Sequence, residues 1–192
     1  MSVGAKRDDG RNDEGSGLAA DLRAVYGAYQ FLRGHDLAAV SATSRRLREA
    51  DLPALAARLR DEVGELRGVI AGTHGHGGGG DDVVLEASQC LYWTFVLAVA
   101  AGDAYDDLSP HLALTGATHD AGATTVPDDA VDLTDPSTRR ETLRAVLSTV
   151  GALCRQRGVD PHAAVARDRA DLHTRPYLDA YWASSAPLTN AD

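Results

Sequence analysis

The sequence predicts an all-α fold, and three observations carry it. Apolar residues recur at three- and four-residue spacing along most of the chain. No stretch alternates apolar and polar residues over a useful length. Aromatics make up only 5% of the residues while Ala and Leu abound, a composition that favours helices. A chain of 192 residues suits one domain and can bury a core without disulfide or metal staples.

The elements follow in order. Residues 1–17 mix Gly, Asp, Arg and Asn without periodicity and read as a disordered tail. Leu18, Leu22, Val25, Tyr26, Tyr29 and Leu32 then recur at helical spacing and stop at Gly34. Asp36 is expected to cap a second helix, with Leu37, Val40 and Leu47 inside and Arg45, Arg46 and Arg48 on a solvated face. Asp51 followed by Pro53 marks a third start, with a stripe of Leu52, Leu55, Leu59, Val63, Leu66 and Ile70 that ends at Gly72. A Gly-rich connection leads to Asp81 and Asp82, expected to cap a helix running to Gly102. Beyond Gln89 that helix is apolar on every side, as suits the centre of a bundle or a subunit interface.

Residues 109–135 read as an irregular loop, with a short helix around Tyr105–Leu114 at its start. Asp135-Pro136 and Asp160-Pro161 begin two further helices. Leu143, Val146, Leu147, Val150 and Leu153 line the first, and the second runs through Val165 to Leu172. The segment Arg175–Trp182 reads as extended or turn-like, with its aromatics packed on the bundle, and 184–192 as a tail. The organisation is one domain over 18–183, with a core acidic helix pair (52–108) and a C-terminal helix pair (136–174). The two pairs share a weak repeat of apolar helix, Gly and short helix, but the later one lacks the acids.

A net charge of −9 argues against nucleic acid or an anionic membrane as partner. Cys90 and Cys154 lie inside apolar helical patterns and read as small buried hydrophobes. No secretory signal is visible, and the apolar run Leu91–Ala101 is short for a membrane span, so a cytoplasmic location is expected. The all-apolar helix 90–101 suggests a homodimer or higher homo-oligomer, because a small bundle struggles to cover it alone.

Chemistry concentrates in two acidic motifs, Asp61-Glu62-Val63-Gly64-Glu65 and Glu86-Ala87-Ser88-Gln89. Residues three apart on a helix lie on neighbouring turns of one face. Glu62 falls at the edge of the apolar stripe, Glu65 one step further round, and Asp61 points nearly opposite, toward solvent. The Gly-rich connection makes the two helices antiparallel, which brings Glu62, Glu65, Glu86 and Gln89 to similar height. Burying three carboxylates together is costly unless a cation neutralises them. The bland alternative is a set of surface acids paired with Arg58, Arg60 or Arg67.

The loop itself is not a phosphate cradle. It lacks a Gly-Lys-Ser/Thr ending, and Asp81-Asp82 would repel an anion at the following helix start. His74 and His76 alternate within it; with no other His or Cys nearby in sequence, they read as an incidental pair.

The run Leu59–Leu108 resembles the MazG-like all-α nucleoside triphosphate pyrophosphohydrolases, which include phosphoribosyl-ATP pyrophosphohydrolases. Asp61-Glu62-x-x-Glu65 is similar to the family's Glu-Glu-x-x-Glu motif, and Glu86-x-x-Gln89 to its Glu-x-x-Asp motif. Leu91-Tyr92-Trp93 and Gly102 with Tyr105-Asp106-Asp107-Leu108 look similar as well. The resemblance covers roughly a quarter to a third of the chain. It implies a helical bundle of the MazG-like type, with the C-terminal pair as a degenerate copy. It also implies Mg²⁺-dependent cleavage of a nucleotide substrate to the monophosphate and pyrophosphate. Glu62, Glu65 and Glu86 would be the catalytic residues, and with Gln89 they would hold Mg²⁺. Gln89 stands where the family carries Asp; its amide oxygen can ligate but brings no charge and cannot act as a base. A non-catalytic helical scaffold or nucleotide-binding module with a degenerate metal site is the alternative.

Overall fold

In the computed structural model of the protein, residues 11–75, 77, 79–116 and 133–185 are described. Their regular structure is entirely helical. The order is α1 (Arg11–Gly34), α2 (Ala42–Glu49), α3 (Leu52–Ala71), α4 (Gly80–Ala101), α5 (Tyr105–Leu108), α6 (Pro110–Thr115), α7 (Pro136–Gln156) and α8 (Pro161–His173). A 3-10 turn at Pro176–Leu178 leads into α9 (Asp179–Ser185).

Three helix starts follow the expected chemistry. The side chains of Asp51, Asp135 and Asp160 accept hydrogen bonds from the backbone N–H groups of Ala54, Thr138 and His162. Each cap satisfies a donor that the helix cannot, and a Pro in the first turn needs none.

α4 is the central element. α1, α2, α3, α7 and α8 all pack on it, and from Trp93 to Ala100 every side chain is buried. It has 22 residues and an 18-residue window of mean hydropathy 1.6, so it is long and apolar enough to cross a membrane; the apolar stretch is longer than Leu91–Ala101 suggests. Here its neighbours within one chain cover it. The observation behind the homo-oligomer expectation is therefore met without a second subunit.

Several boundaries differ from expectation. α1 reaches back to Arg11, so residues 11–17 are helical; 1–10 and 186–192 lie outside the described residues, as does the loop stretch 117–132. Ser41, not Asp36, caps α2, its hydroxyl accepting from the Ser44 N–H. Val40 consequently precedes the helix and is 63% exposed rather than inside. The short helix expected near Tyr105–Leu114 is two helices, broken where Ser109 adopts a left-handed conformation. The segment Arg175–Trp182 is turn-like over Pro176–Leu178, as expected, but enters α9 from Asp179, where Tyr181 anchors it. The Tyr181 hydroxyl donates to the Ala24 carbonyl at 2.6 Å and lies against Gly27, where a side chain would leave no room. Tyr177, Tyr181 and Trp182 pack against the core.

Candidate metal centre

α3 and α4 pack side by side, joined by the short connection 72–79. On α4, Asp82, Glu86 and Cys90 recur every fourth residue and so form one stripe. All three are buried. Glu86 is only 2% exposed and Glu62, from α3, 5%. Two carboxylates so deep, on facing helices, are what a surface-acid explanation does not accommodate. Asp61, by contrast, is exposed and paired with Arg58 at 3.2 Å.

Glu62 is held on one oxygen. Its Oε1 accepts from Arg58 at 2.6 Å and from the Trp93 indole N–H at 3.1 Å. Among the described residues Oε2 takes no hydrogen bond. Burial pushes the Glu62 pKa above the ordinary carboxylate value, and the charges of Glu65 and Glu86 push the same way. Arg58 and the Trp93 hydrogen bond only partly offset them. The Cys90 thiol is pushed well above its ordinary value, first by burial and then by Glu62, Glu86 and Glu65. A buried thiol facing three acids is inert, in keeping with its expected role as a small hydrophobe.

The connection folds back over α3. Gly72 takes a left-handed conformation with φ of 75°, and the N–H groups of Thr73 and His74 both bond the Gly68 carbonyl, at 2.8 and 3.1 Å. Only glycine permits this at position 68, where a Cβ would stand 2.7 Å from that of His74. The turn sets the His74 ring against the acids. Its Nε2 lies 3.6 Å from Glu65 Oε2 and 3.9 Å from Glu86 Oε1. One ligand atom from each of Glu65, His74 and Glu86 lies within 4.8 Å of the other two. Further along the connection, the Gly77 N–H donates to the buried Asp82 carboxylate at 3.2 Å.

The four expected ligands therefore separate. Glu65 and Glu86 converge. Glu62 lies close enough to feel both charges, but an Arg and a Trp already engage one of its oxygens. Gln89 lines a cleft of about 440 Å³ toward α2 and α8, with Thr43, Tyr92, Arg167, Asp168 and Arg175. The donor set suits a hard dication at Glu65 and Glu86, where two carboxylates supply charge and oxygen.

Two features escape the sequence reading. The sequence offers His74 and His76 as an incidental pair, and His76 lies outside the described residues; among the described residues His74 lies beside Glu65 and Glu86, and the local signal for that is the Gly-rich turn after Gly68. The cleft beside Gln89 draws on α2, α4 and α8, and no local motif joins those residues. No protein-family model, curated protein or solved structure matches this chain.

Proposed function

We propose that the protein is a Mg²⁺-dependent nucleotide pyrophosphohydrolase, cleaving a nucleoside triphosphate or related nucleotide to the monophosphate and pyrophosphate. The observation that carries it is the meeting of Glu65 and Glu86 beside buried Glu62 at the α3–α4 interface. The motif resemblance over Leu59–Leu108 supplies the reaction class.

Glu65 and Glu86 would hold Mg²⁺, which when bound neutralises phosphate charge and orients the phosphates. Glu62 suits the base. Its burial, the largest cause of its raised pKa, would persist with a cation on Glu65 and Glu86 and favours proton acceptance, and among the described residues Oε2 takes no hydrogen bond. Arg58 and Trp93 fix the other oxygen, so the carboxylate is oriented before substrate arrives. Water attacks the α-phosphorus, its proton passes to Glu62, and the bond to the pyrophosphate leaving group breaks. Arg46 and Arg58 each sit 5.4 Å from the Trp93 ring and place positive charge near the acids, where substrate phosphates would need it.

The test is pyrophosphate release from a panel of NTPs and dNTPs with Mg²⁺. Glu62→Gln is expected to lower kcat by about 10²–10⁴-fold, the usual worth of a general base. Activity undiminished by Glu62→Ala and Glu86→Ala would sink the assignment. A second reading, a non-catalytic nucleotide-binding module, is favoured by the Arg58–Glu62 ion pair, which already engages the acid proposed as base. Nucleotide binding without pyrophosphate release, unchanged in Glu62→Gln, would select it.

A further inference from the structure

We propose that His74 joins Glu65 and Glu86 in a three-residue site built for a transition-metal dication of the Zn²⁺ or Co²⁺ class. The proposal rests on the acidic pair being the cation site proposed above and adds a nitrogen ligand, so that the site would still take Mg²⁺ through its oxygens but hold Zn²⁺ or Co²⁺ more tightly.

The spacing is the first argument. At 3.6 and 3.9 Å, the His74 contacts to Glu65 and Glu86 exceed ordinary hydrogen-bond lengths. Two ligands each about 2.0–2.1 Å from one ion, at a tetrahedral angle, stand about 3.4 Å apart. The two His74 separations lie within about half an ångström of that value, and all three ligand atoms lie within 4.8 Å of one another, so side-chain adjustments would close the site.

The backbone is the second. His74 does not reach the acids on a free loop. The left-handed Gly72, the paired N–H bonds to the Gly68 carbonyl and the missing Cβ at Gly68 together set the ring over the end of α3. Ligands thus come from three segments: α3, the turn and α4.

Ligand chemistry is the third. Mg²⁺ takes oxygen donors and retains water, whereas imidazole nitrogen with carboxylates suits Zn²⁺ and its first-row neighbours. The His74 and Glu65 side chains are 37% and 41% exposed, so the site lies at the surface, within reach of a substrate.

Almost any such site binds Zn²⁺ more tightly than Mg²⁺, so the discriminating result is which ion a His74 variant loses. The experiment is calorimetric titration of the full, tag-free chain with Zn²⁺ and Mg²⁺, with visible absorption of the Co²⁺ form. His74→Ala is expected to weaken Zn²⁺ by about tenfold or more, to shift the Co²⁺ spectrum, and to leave Mg²⁺ affinity within about twofold. His74→Asp, which returns an oxygen donor, is expected to raise Mg²⁺ affinity relative to Zn²⁺. A His74→Ala protein with unchanged Zn²⁺ affinity, or equal losses for both ions, would overturn the site. If Glu65→Gln abolishes cation binding while His74→Ala is silent, the acidic pair stands without His74. A wild type that binds no dication overturns both. Selective Zn²⁺ binding through His74 in a protein that releases no pyrophosphate keeps this site and removes the hydrolase.

Discussion

Two buried aspartates show how neighbours decide what burial does to a carboxyl. Asp103, at the end of α4, is desolvated, which raises its pKa. Hydrogen bonds from Arg139 at 2.7 and 2.9 Å and from Arg140 at 2.8 Å outweigh that and hold it below the ordinary value. Among the described residues Asp168 has the Tyr29 hydroxyl, at 2.8 Å, against its burial, and its pKa is pushed up to about 7. The two titrations have opposite sign. Asp103 contributes stability that is lost as pH falls below the unfolded carboxyl value. Asp168 contributes stability that is complete below that value and lost as pH rises through about 7, because between the two values the native state holds the extra proton. Asp168→Asn keeps an oxygen to accept from Tyr29 and removes the titration. The variant is expected to match or trail the wild type at pH 5 and to gain on it by about 2–4 kcal/mol at pH 8. Urea midpoints at the two pH values measure this; a difference independent of pH would show that Asp168 is ionised throughout. Residue-scale chemistry of this kind was barely legible in the sequence. Asp168 and Tyr29 are 139 positions apart, and no local pattern pairs them. The placing of Glu62 at the edge of the α3 stripe was legible, because one helix carries both the stripe and the acid.

At the scale of elements, α6 and α7 cross closely at Gly151. A Cβ on Gly151 would stand 2.0 Å from the Leu114 carbonyl oxygen and 2.8 Å from its carbon, both rigid backbone atoms. The same carbonyl, at the end of α6, accepts from Arg155 at 2.6 Å, which satisfies an acceptor the short helix leaves open. Gly151→Ala therefore sets two effects against each other. Alanine favours the helix by about 1 kcal/mol. Parting α6 from α7 costs about 1–3 kcal/mol or more and disturbs the Arg155 bond. The net expectation is destabilisation by about 1–2 kcal/mol in urea unfolding. Gly64→Ala is the control: it lies exposed on α3 with nothing near its missing Cβ, and should stabilise by about 0.5–1 kcal/mol. Equal effects at the two positions would refute the close crossing. Helix existence was legible wherever local chemistry specifies it, as at Asp51, Asp135 and Asp160, whose caps need only the next three residues. It failed at α2, where both Asp36 and Ser41 can cap. There the tertiary setting favours Ser41, because the Ser44 hydroxyl one turn on bonds back to the Leu32 carbonyl of α1. It failed again at α9, which has no apolar stripe of its own and is held by Tyr181 on α1.

The whole molecule is organised around α4. A helix apolar on all sides must be covered by something, and from sequence a second subunit, a membrane and the rest of the chain are equivalent covers. Folding distinguishes them, because the cover is built from α1, α2, α3, α7 and α8, which span almost the full chain. What the described residues leave fully exposed is largely polar. Among the described residues, Val40 is the large hydrophobic side chain left exposed. Stable subunit contacts bury about 800 Å² per partner around an apolar centre, and a lone valine does not supply one. A net charge of −9 further opposes the approach of identical surfaces. The expected result is a monomer: light scattering at micromolar concentration should give a mass near 20.2 kDa, with the same value after a dication is added. The cation arm matters, because the half-exposed Glu65 and His74 leave coordination positions that a second chain could fill. A mass that doubles only with the dication would make the metal itself the subunit contact. A doubled mass without it would show that the polar surface, and not α4, carries the interface.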